Sequence, residues 1–449
     1  MELMKKHKLH ILLPAILVVV AIVAGLLYNS LQGSTSSGQH YKLGQQYLNK
    51  LDYASAVLEF TNAITLDPTN REARVGLAQA YSASGNKAMA QTVLKDLLQE
   101  DNLDPDICDA LLDVYKDGKD PASAIQLLTQ MIKQTDEDIY YQKLEELIQE
   151  ICKASRSFGQ GRTHQILLKD GKVLVKGSNS LGQLGGADPE KARDNFVDAA
   201  FPGTAARVYA MENTSFVVDT EQNLWAAGEN RWGQLGLAYG DLQIQEGWQK
   251  LTDTKDIACV TGAGGTLLVL KTDGSLWLSG AGAGQSLRRW TVGGTVIQIQ
   301  GARDYLYVLT TEGKLYKGSW YNRELTWTVQ SKDVATFCAG PNALAWTAVD
   351  GNIYLYSGAV YAPNDWNYTD DGYSVPKFSI KAMATNGNSM FFLTPDGQLM
   401  QLNNGSVTKV ETASPVTGIY TADNAAVATL EDGTTLLWEN YGEQYITLG

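Results

Sequence analysis

Residues 164–185 read H-Q-I-L-L-K-D-G-K-V-L-V-K-G-S-N-S-L-G-Q-L-G. Two short apolar runs flank Lys169-Asp170-Gly171-Lys172, and Asp-Gly supplies the positive φ values that a tight hairpin turn demands. The second run breaks at Gly177 and leads into a Gly-Gln-Leu-Gly corner. Related hairpins return at 222–228 (Q-N-L-W-A-A-G), 273–280 (D-G-S-L-W-L-S-G) and 312–318 (E-G-K-L-Y-K-G). They continue at 350–357 (D-G-N-I-Y-L-Y-S), 396–402 (D-G-Q-L-M-Q-L) and 432–438 (D-G-T-T-L-L-W). Each is preceded by a further apolar run, from Phe216–Val218 through Leu306–Leu309 to Ala426–Leu430. Seven short antiparallel units, roughly 36 to 52 residues apart, predict a radial array of small sheets: an all-β propeller over 156–449.

The two nonapeptides G-S-N-S-L-G-Q-L-G (177–185) and G-E-N-R-W-G-Q-L-G (228–236) resemble the repeats of the regulator of chromosome condensation family. That resemblance implies a seven-bladed β-propeller. The third copy keeps only G-A-G-A-G-Q (280–285), and the last four lose the corner. In that family the strand after a corner belongs to the next blade. The resemblance therefore implies that the terminal Tyr445–Leu448 pairs with the sheet containing His164–Leu168 and so closes the ring.

Upstream, residues 37–155 are helical in pattern and repeat every 34 residues: Leu43, Leu77 and Leu111; Tyr47, Tyr81 and Tyr115; Ala56, Ala90 and Ala124. With Gly44, Phe60, Ala63 and Pro68 in the first copy, this resembles the tetratricopeptide repeat, an all-α solenoid. The third copy departs, carrying Leu112 where a small residue is usual. A closing amphipathic helix over 137–153 is expected to cover the last repeat with Ile139, Leu144, Leu147, Ile148 and Ile151. The resemblance implies protein or peptide binding, although the Lys and Asn residues of a carboxylate clamp are absent: Tyr41 and Gln45 stand at those positions.

At the N-terminus, a basic tail (1–10, with Lys5, Lys6 and Lys8) precedes the 17 uncharged residues Ile11–Leu27 and then Tyr28. At 1.5 Å per residue such a run just spans a bilayer core, and Pro14 falls in its first turn. The reading is a transmembrane signal anchor over 11–28, with a cleaved signal peptide as the competing one, followed by a linker over 29–36. The lysine excess places the tail in the cytoplasm and the rest outside. The expectation is a single-pass plasma-membrane protein, by analogy on a bacterial cell surface.

The 449 residues carry a formal charge of −13 and are 44% hydrophobic. Both the helical and the strand-rich halves are acidic, which argues against nucleic acid as a partner. Cys108, Cys152, Cys259 and Cys338 match no zinc spacing, and the four histidines (His7, His10, His40, His164) leave little material for a triad or a metal site. Asp370-Asp371-Gly372 and the Asp101, Asp104, Asp106, Asp109 cluster fit no calcium loop. Phosphate-loop, nucleophile-elbow and zinc-protease motifs are absent. No cofactor, metal or enzymatic activity is expected.

The candidate partner-binding residues lie where the repeat is interrupted: Tyr361, Trp366, Tyr368 and Tyr373 in the loop 361–378; Trp320 and Tyr321 in 319–327; and Arg288, Arg289 and Trp290. Such rings serve interfaces or stack on sugars; they equally pack grooves between blades. Trp225, Trp277 and Trp438 read as core. The sequence thus points to a membrane-anchored interaction scaffold whose helical groove and propeller loops hold protein partners. The alternatives are a carbohydrate- or cell-wall-binding module and a propeller-based hydrolase.

Overall fold

The computed structural model describes residues 36–449 apart from 101–103, 118–120, 154–155, 187–191, 238–243, 252–254, 323, 349–351, 358–366, 370–371, 376–379, 395–396, 440–444 and 449. The chain forms two compact units, Met1–Gly118 and Lys119–Gly449.

In the first unit the helices are α1 (Ser37–Asn49), α2 (Tyr53–Leu66), α3 (Arg71–Ala83), α4 (Lys87–Glu100) and α5 (Pro105–Asp117). Their starts are written in the sequence. Ser36 and Gln39 form a reciprocal capping box, in which Gln39 N donates to Ser36 Oγ and Ser36 N to Gln39 Oε1. Asn70 accepts from Ala73 N and Asp104 from Ile107 N in the same way, so one kind of cap recurs at 36, 70 and 104. The repeats are also tied side chain to side chain: Asn70 Nδ2 donates to Ser37 Oγ, and the Arg71 guanidinium pairs with Asp104. Phe60 is fully buried, its ring lying against Gly44 of α1 and Gly76 of α3, where a Cβ would enter the ring's own space. Ala56, Ala90 and Ala124 are fully buried, as the 34-residue period predicts.

The second unit begins with α6 (Pro121–Thr135) and α7 (Asp138–Lys153). In α7, Leu144, Leu147 and Ile148 are buried, as expected. Ile139 instead faces solvent, and the adjacent Tyr140 takes the buried place. The rest of the unit is all-β. Seven antiparallel sheets follow one another, six of them four-stranded meanders. Blade one is β1 (Phe158–Gln160), β2 (His164–Lys169), β3 (Lys172–Gly177) and β4 (Arg193–Asp198). Blade two is β5 (Ala205–Met211), β6 (Thr214–Asp219), β7 (Leu224–Glu229) and β8 (Ile244–Lys250). Blade three is β9 (Ile257–Ala263), β10 (Thr266–Lys271), β11 (Leu276–Gly280) and β12 (Gly284–Trp290). Blade four is β13 (Val296–Ala302), β14 (Tyr305–Thr310), β15 (Leu315–Tyr321) and β16 (Glu324–Ser331).

Blade five has five strands: β17 (Val334–Gly340), β18 (Ala343–Ala348) and β19 (Ile353–Ser357), then β21 (Gly372–Val375) beside β19, with β20 (Asn367–Thr369) outermost. Blade six is β22 (Ala382–Thr385), β23 (Met390–Leu393), β24 (Leu399–Asn403) and β25 (Ser406–Val410). Blade seven is β26 (Val416–Ala422), β27 (Ala425–Leu430), β28 (Thr435–Trp438) and β29 (Ile446–Leu448). The first strand of every blade packs on the first strand of the next, all the way round.

The Asp170-Gly171 turn is the two-residue hairpin that the sequence predicts, with Lys169 opposite Lys172 and φ of 50° and 74° at its centre. Elsewhere the turn is longer. At Asp273-Gly274 only the glycine is left-handed, Gly274 N donates to Lys271 O, and the Asp273 carboxylate accepts from Ser275 N. Of the tryptophans read as core, Trp438 is buried, whereas Trp225 and Trp277 are half-buried with lysines above their rings.

The expected ring closure is corrected. β29 pairs with β28 of its own blade, Leu437 opposite Ile446, and not with the His164–Leu168 sheet. The inner strand of blade one is supplied by Phe158–Gln160, which leaves no vacancy for the C-terminus. The seam is closed by side chains instead. Phe158 N donates to Tyr420 Oη, which donates back to Phe158 O; Gln165 Nε2 reaches Glu439 Oε1 at 2.7 Å. The Arg156 guanidinium lies over both Tyr209 and Tyr420 and donates to Thr421 O. Phe158, Leu167, Val427 and Leu437 share one core beneath.

The single-pass plasma-membrane placement is corrected as well. Among the described residues no helix is long and apolar enough to cross a membrane, and the Ile11–Leu27 run lies outside the described residues.

Candidate functional site: the lower face of the ring

Because the first three strands of every blade run antiparallel in chain order, the first turn and the end of the third strand fall at one end, here called the lower face. The other end carries the Asp-Gly turns. The chain reaches the ring at that upper end, through Arg156, and α6 and α7 pack against the inner strands β17 and β9.

In blades one and two, two buried amides build the outer corner on the lower face. In blade one Gln183 Oε1 accepts from Leu181 N and Asn179 Oδ1 from Leu184 N; in blade two Gln234 and Asn230 do the same for Trp232 and Leu235. The Asn-x-x-x-Gln spacing is thus a device that satisfies backbone donors the turn would leave unpaired. His164 reads as part of this scaffold. It is buried, its Nε2 meets Ser215 Oγ of blade two at 2.9 Å, and burial lowers its pKa to about 4.

The first turns of neighbouring blades touch one another around the channel mouth. Arg162 N of blade one donates to Glu212 O of blade two, and Gly265 N of blade three donates to Glu212 Oε1. Burial raises the Glu212 carboxyl above the usual range, with Glu229 adding to it while the Gly265 and Gly264 amides and Arg162 oppose it. Asp423, in the corresponding turn of blade seven, is raised to about 6 by burial and then by Glu212.

The same turns carry exposed aromatic rings. Trp232 lies on Gly265 and Trp320 on Gly264, where an added Cβ would strike each indole. Trp320 Nε1 also donates to Ala281 O, tying blade four to blade three. Trp232 exposes 45% of its surface, and on the same face Tyr321, Tyr356 and Tyr305 expose 74%, 59% and 38%. Lys317 Nζ sits 3.7 Å from the Tyr305 ring centroid. Burial pushes the Tyr307 hydroxyl pKa up, and the nearby Tyr305 and Tyr356 add to the shift, which places all three in one neighbourhood. An arc of rings therefore runs across blades two to five beside a pair of carboxylates.

The sequence candidates separate in three dimensions. Trp320 and Tyr321 belong to the arc, one half-buried and one open. Arg288, Arg289 and Trp290 lie on β12, the outer strand of blade three, with both arginines exposed and Arg288 over the Trp290 ring at 5.5 Å. Tyr368 and Tyr373 face each other in register in the β20–β21 hairpin. Tyr361 and Trp366 lie outside the described residues. Sequence reasoning missed Trp232, Tyr305, Tyr356, Glu212 and Asp423 as site residues. Their common signal is position: Glu212, Asp423 and Tyr305 border first turns, Tyr356 ends a third strand, and Trp232 stands where blade one has Leu181. Alignment of the copies by strand, rather than by glycine motif, brings them together.

A shallow groove of about 360 Å³ on the outer rim between blades six and seven, lined by Gln401, Lys409, Trp438 and Tyr445 among others, shares none of these residues.

The tetratricopeptide repeat family model matches residues 51–107. No curated protein sequence matches the chain significantly. Among solved structures, human WBSCR16 is similar at 14% identity and a TM-score of 0.52, over 61% of this chain and 86% of that one. Prp20p from Saccharomyces cerevisiae, reported with its binding properties to Gsp1p and histones, is 15% identical at a TM-score of 0.48, over 60% of this chain and 81% of its own. Yeast RCC1 (Prp20) bound to Kap60 is 16% identical over 63% of this chain and 69% of that chain, at a TM-score of 0.39. At these identities the likeness to solved structures concerns the propeller fold alone, and the tetratricopeptide match concerns only the short helical segment before it.

Proposed function

We propose that this chain is a non-enzymatic interaction scaffold whose propeller holds a protein partner on its lower face, with the tetratricopeptide repeats offering a second docking surface. The observation that carries the reading is the arc of Trp232, Tyr305, Tyr321 and Tyr356, all exposed at the lower end of the ring. Rings grouped around a polar patch are the composition of protein-binding hot spots, and scattered single exposed residues are not. Of the rings in the loop 361–378 that could stack on a sugar, Tyr361 and Trp366 lie outside the described residues.

The test is photo-cross-linking from position 321 in the full chain, with identification of what is captured. A defined protein, lost when Tyr356→Ala and Trp232→Ala are combined and retained in Arg289→Ala, is the expected result. Recovery of polysaccharide alone overturns the reading.

A further inference from the structure

We propose that the segment read by the lower face is cationic: one lysine or arginine side chain enters the channel mouth between Glu212 and Asp423, while flanking apolar residues lie across Trp232, Tyr321 and Tyr356. This rests on the lower-face reading and adds the chemistry of the partner.

Continuity between rings and carboxylates is direct. Glu212 Oε1 accepts from Gly265 N, and Trp232 covers that same glycine, with Trp320 on its neighbour Gly264. A segment stacked on the indole of Trp232 is therefore one residue from the channel mouth. Glu212 and Asp423 stand in the first turns of blades two and seven, whose inner strands pack on either side of the inner strand of blade one, and Arg162 N in the first turn of blade one donates to Glu212 O.

The charges on this face decide the sign of the partner. Arg231 is committed to Glu229 at 3.5 Å, Arg303 to Asp304 at 3.6 Å, and Lys317 to the Tyr305 ring. Arg162 faces Glu212 without closing to an ion pair. Among the described residues, neither Glu212 nor Asp423 has a cationic partner within 4.0 Å. Arg231 and Arg303 are thus each matched by a carboxylate, while Glu212 and Asp423 keep charges that burial has already made unfavourable and that no ion pair offsets. An incoming anion meets repulsion there. An incoming ammonium or guanidinium relieves the repulsion and gains ring faces nearby.

The experiment titrates the full chain calorimetrically with an acetylated, amidated nonapeptide holding one lysine between tyrosine and leucine residues. The control peptide has norleucine in place of the lysine. At low salt the lysine peptide is expected to bind about tenfold tighter, a preference that falls to within about twofold in Glu212→Gln and in Asp423→Asn. Raising the salt should weaken only the lysine peptide, a readout that needs no variant.

Equal binding of the two peptides, binding of neither, or a preference that survives both substitutions overturns the proposal. If one variant fails to fold, the other and the salt series decide. The two readings fail differently: peptides that bind alike yet are lost together in Trp232→Ala remove the cation and leave the aromatic docking face standing.

Discussion

Blades one and two differ from blades four and six in how the third strand turns into the fourth. In the first pair a long connection folds over two buried amides, Asn179 with Gln183 and Asn230 with Gln234. In blade six Asn403 stands opposite Ser406, and Asn404-Gly405 makes the turn with φ of 48° and 75°. Blade four does likewise, with Tyr321 opposite Glu324 and Asn322 left-handed. A two-residue turn of this kind needs only residues that tolerate positive φ. A long corner must bring its own hydrogen-bond acceptors indoors. The repeat motif therefore marks a corner and not a blade, and it fades along the chain while the blades persist.

The sharpest test of that contrast is Asn230→Ala. It strips the acceptor from the buried Leu235 N and leaves a void, so it should cost about 2–3 kcal/mol in denaturant unfolding of the full chain. Gly405→Ala strains one exposed turn and should cost only about 1 kcal/mol. Equal losses would mean that the two kinds of connection carry the same load, and the comparison would collapse.

The seam gives a second contrast. Tyr420→Phe leaves the Phe158 N without its partner and should lower stability by about 1–2 kcal/mol. Removal of residues 445–449 should cost about 1 kcal/mol, because β29 is an outer strand with Tyr445 and Ile446 largely exposed. A truncation far more damaging than Tyr420→Phe would restore the C-terminal strand as the closure.

The smallest effect is in pH. Neutral His164, with a folded pKa of about 4 against 6.5, binds fewer protons folded than unfolded, so its contribution is lost as pH falls from 6.5 towards 4. Asp423, at about 6 against 3.8, binds more protons folded, so its contribution is gained as pH falls through 6, and Glu212 acts in the same sense. The two slopes oppose. Asp423→Asn should stabilise the protein at pH 7 and expose the histidine below pH 6, steepening acid destabilisation by at most about 1.4 kcal/mol per pH unit. Unfolding curves between pH 4.5 and 7.5 that stay parallel to the parent's would show that Asp423 does not titrate as placed.

Much of the architecture is legible in residues 164–185 and their copies. Turn glycines, alternating apolar runs and the 34-residue helical period are local, and local conformational preference decides them. The blade count and the buried alanines at 56, 90 and 124 followed from that alone. The Asn404-Gly405 turn was also readable, though it is eclipsed by the better-known corner. What the tertiary structure decided is everything that depends on which blades meet. The resemblance implied closure by a borrowed strand, whereas Phe158 had already filled that place and Tyr420 became the latch. Glu212 and Asp423 stand more than two hundred residues apart in sequence, yet the ring sets them across one turn. Burial raises both carboxyls, and the Glu212 charge adds to the shift at Asp423; neither cause is a property of a residue's neighbours in sequence.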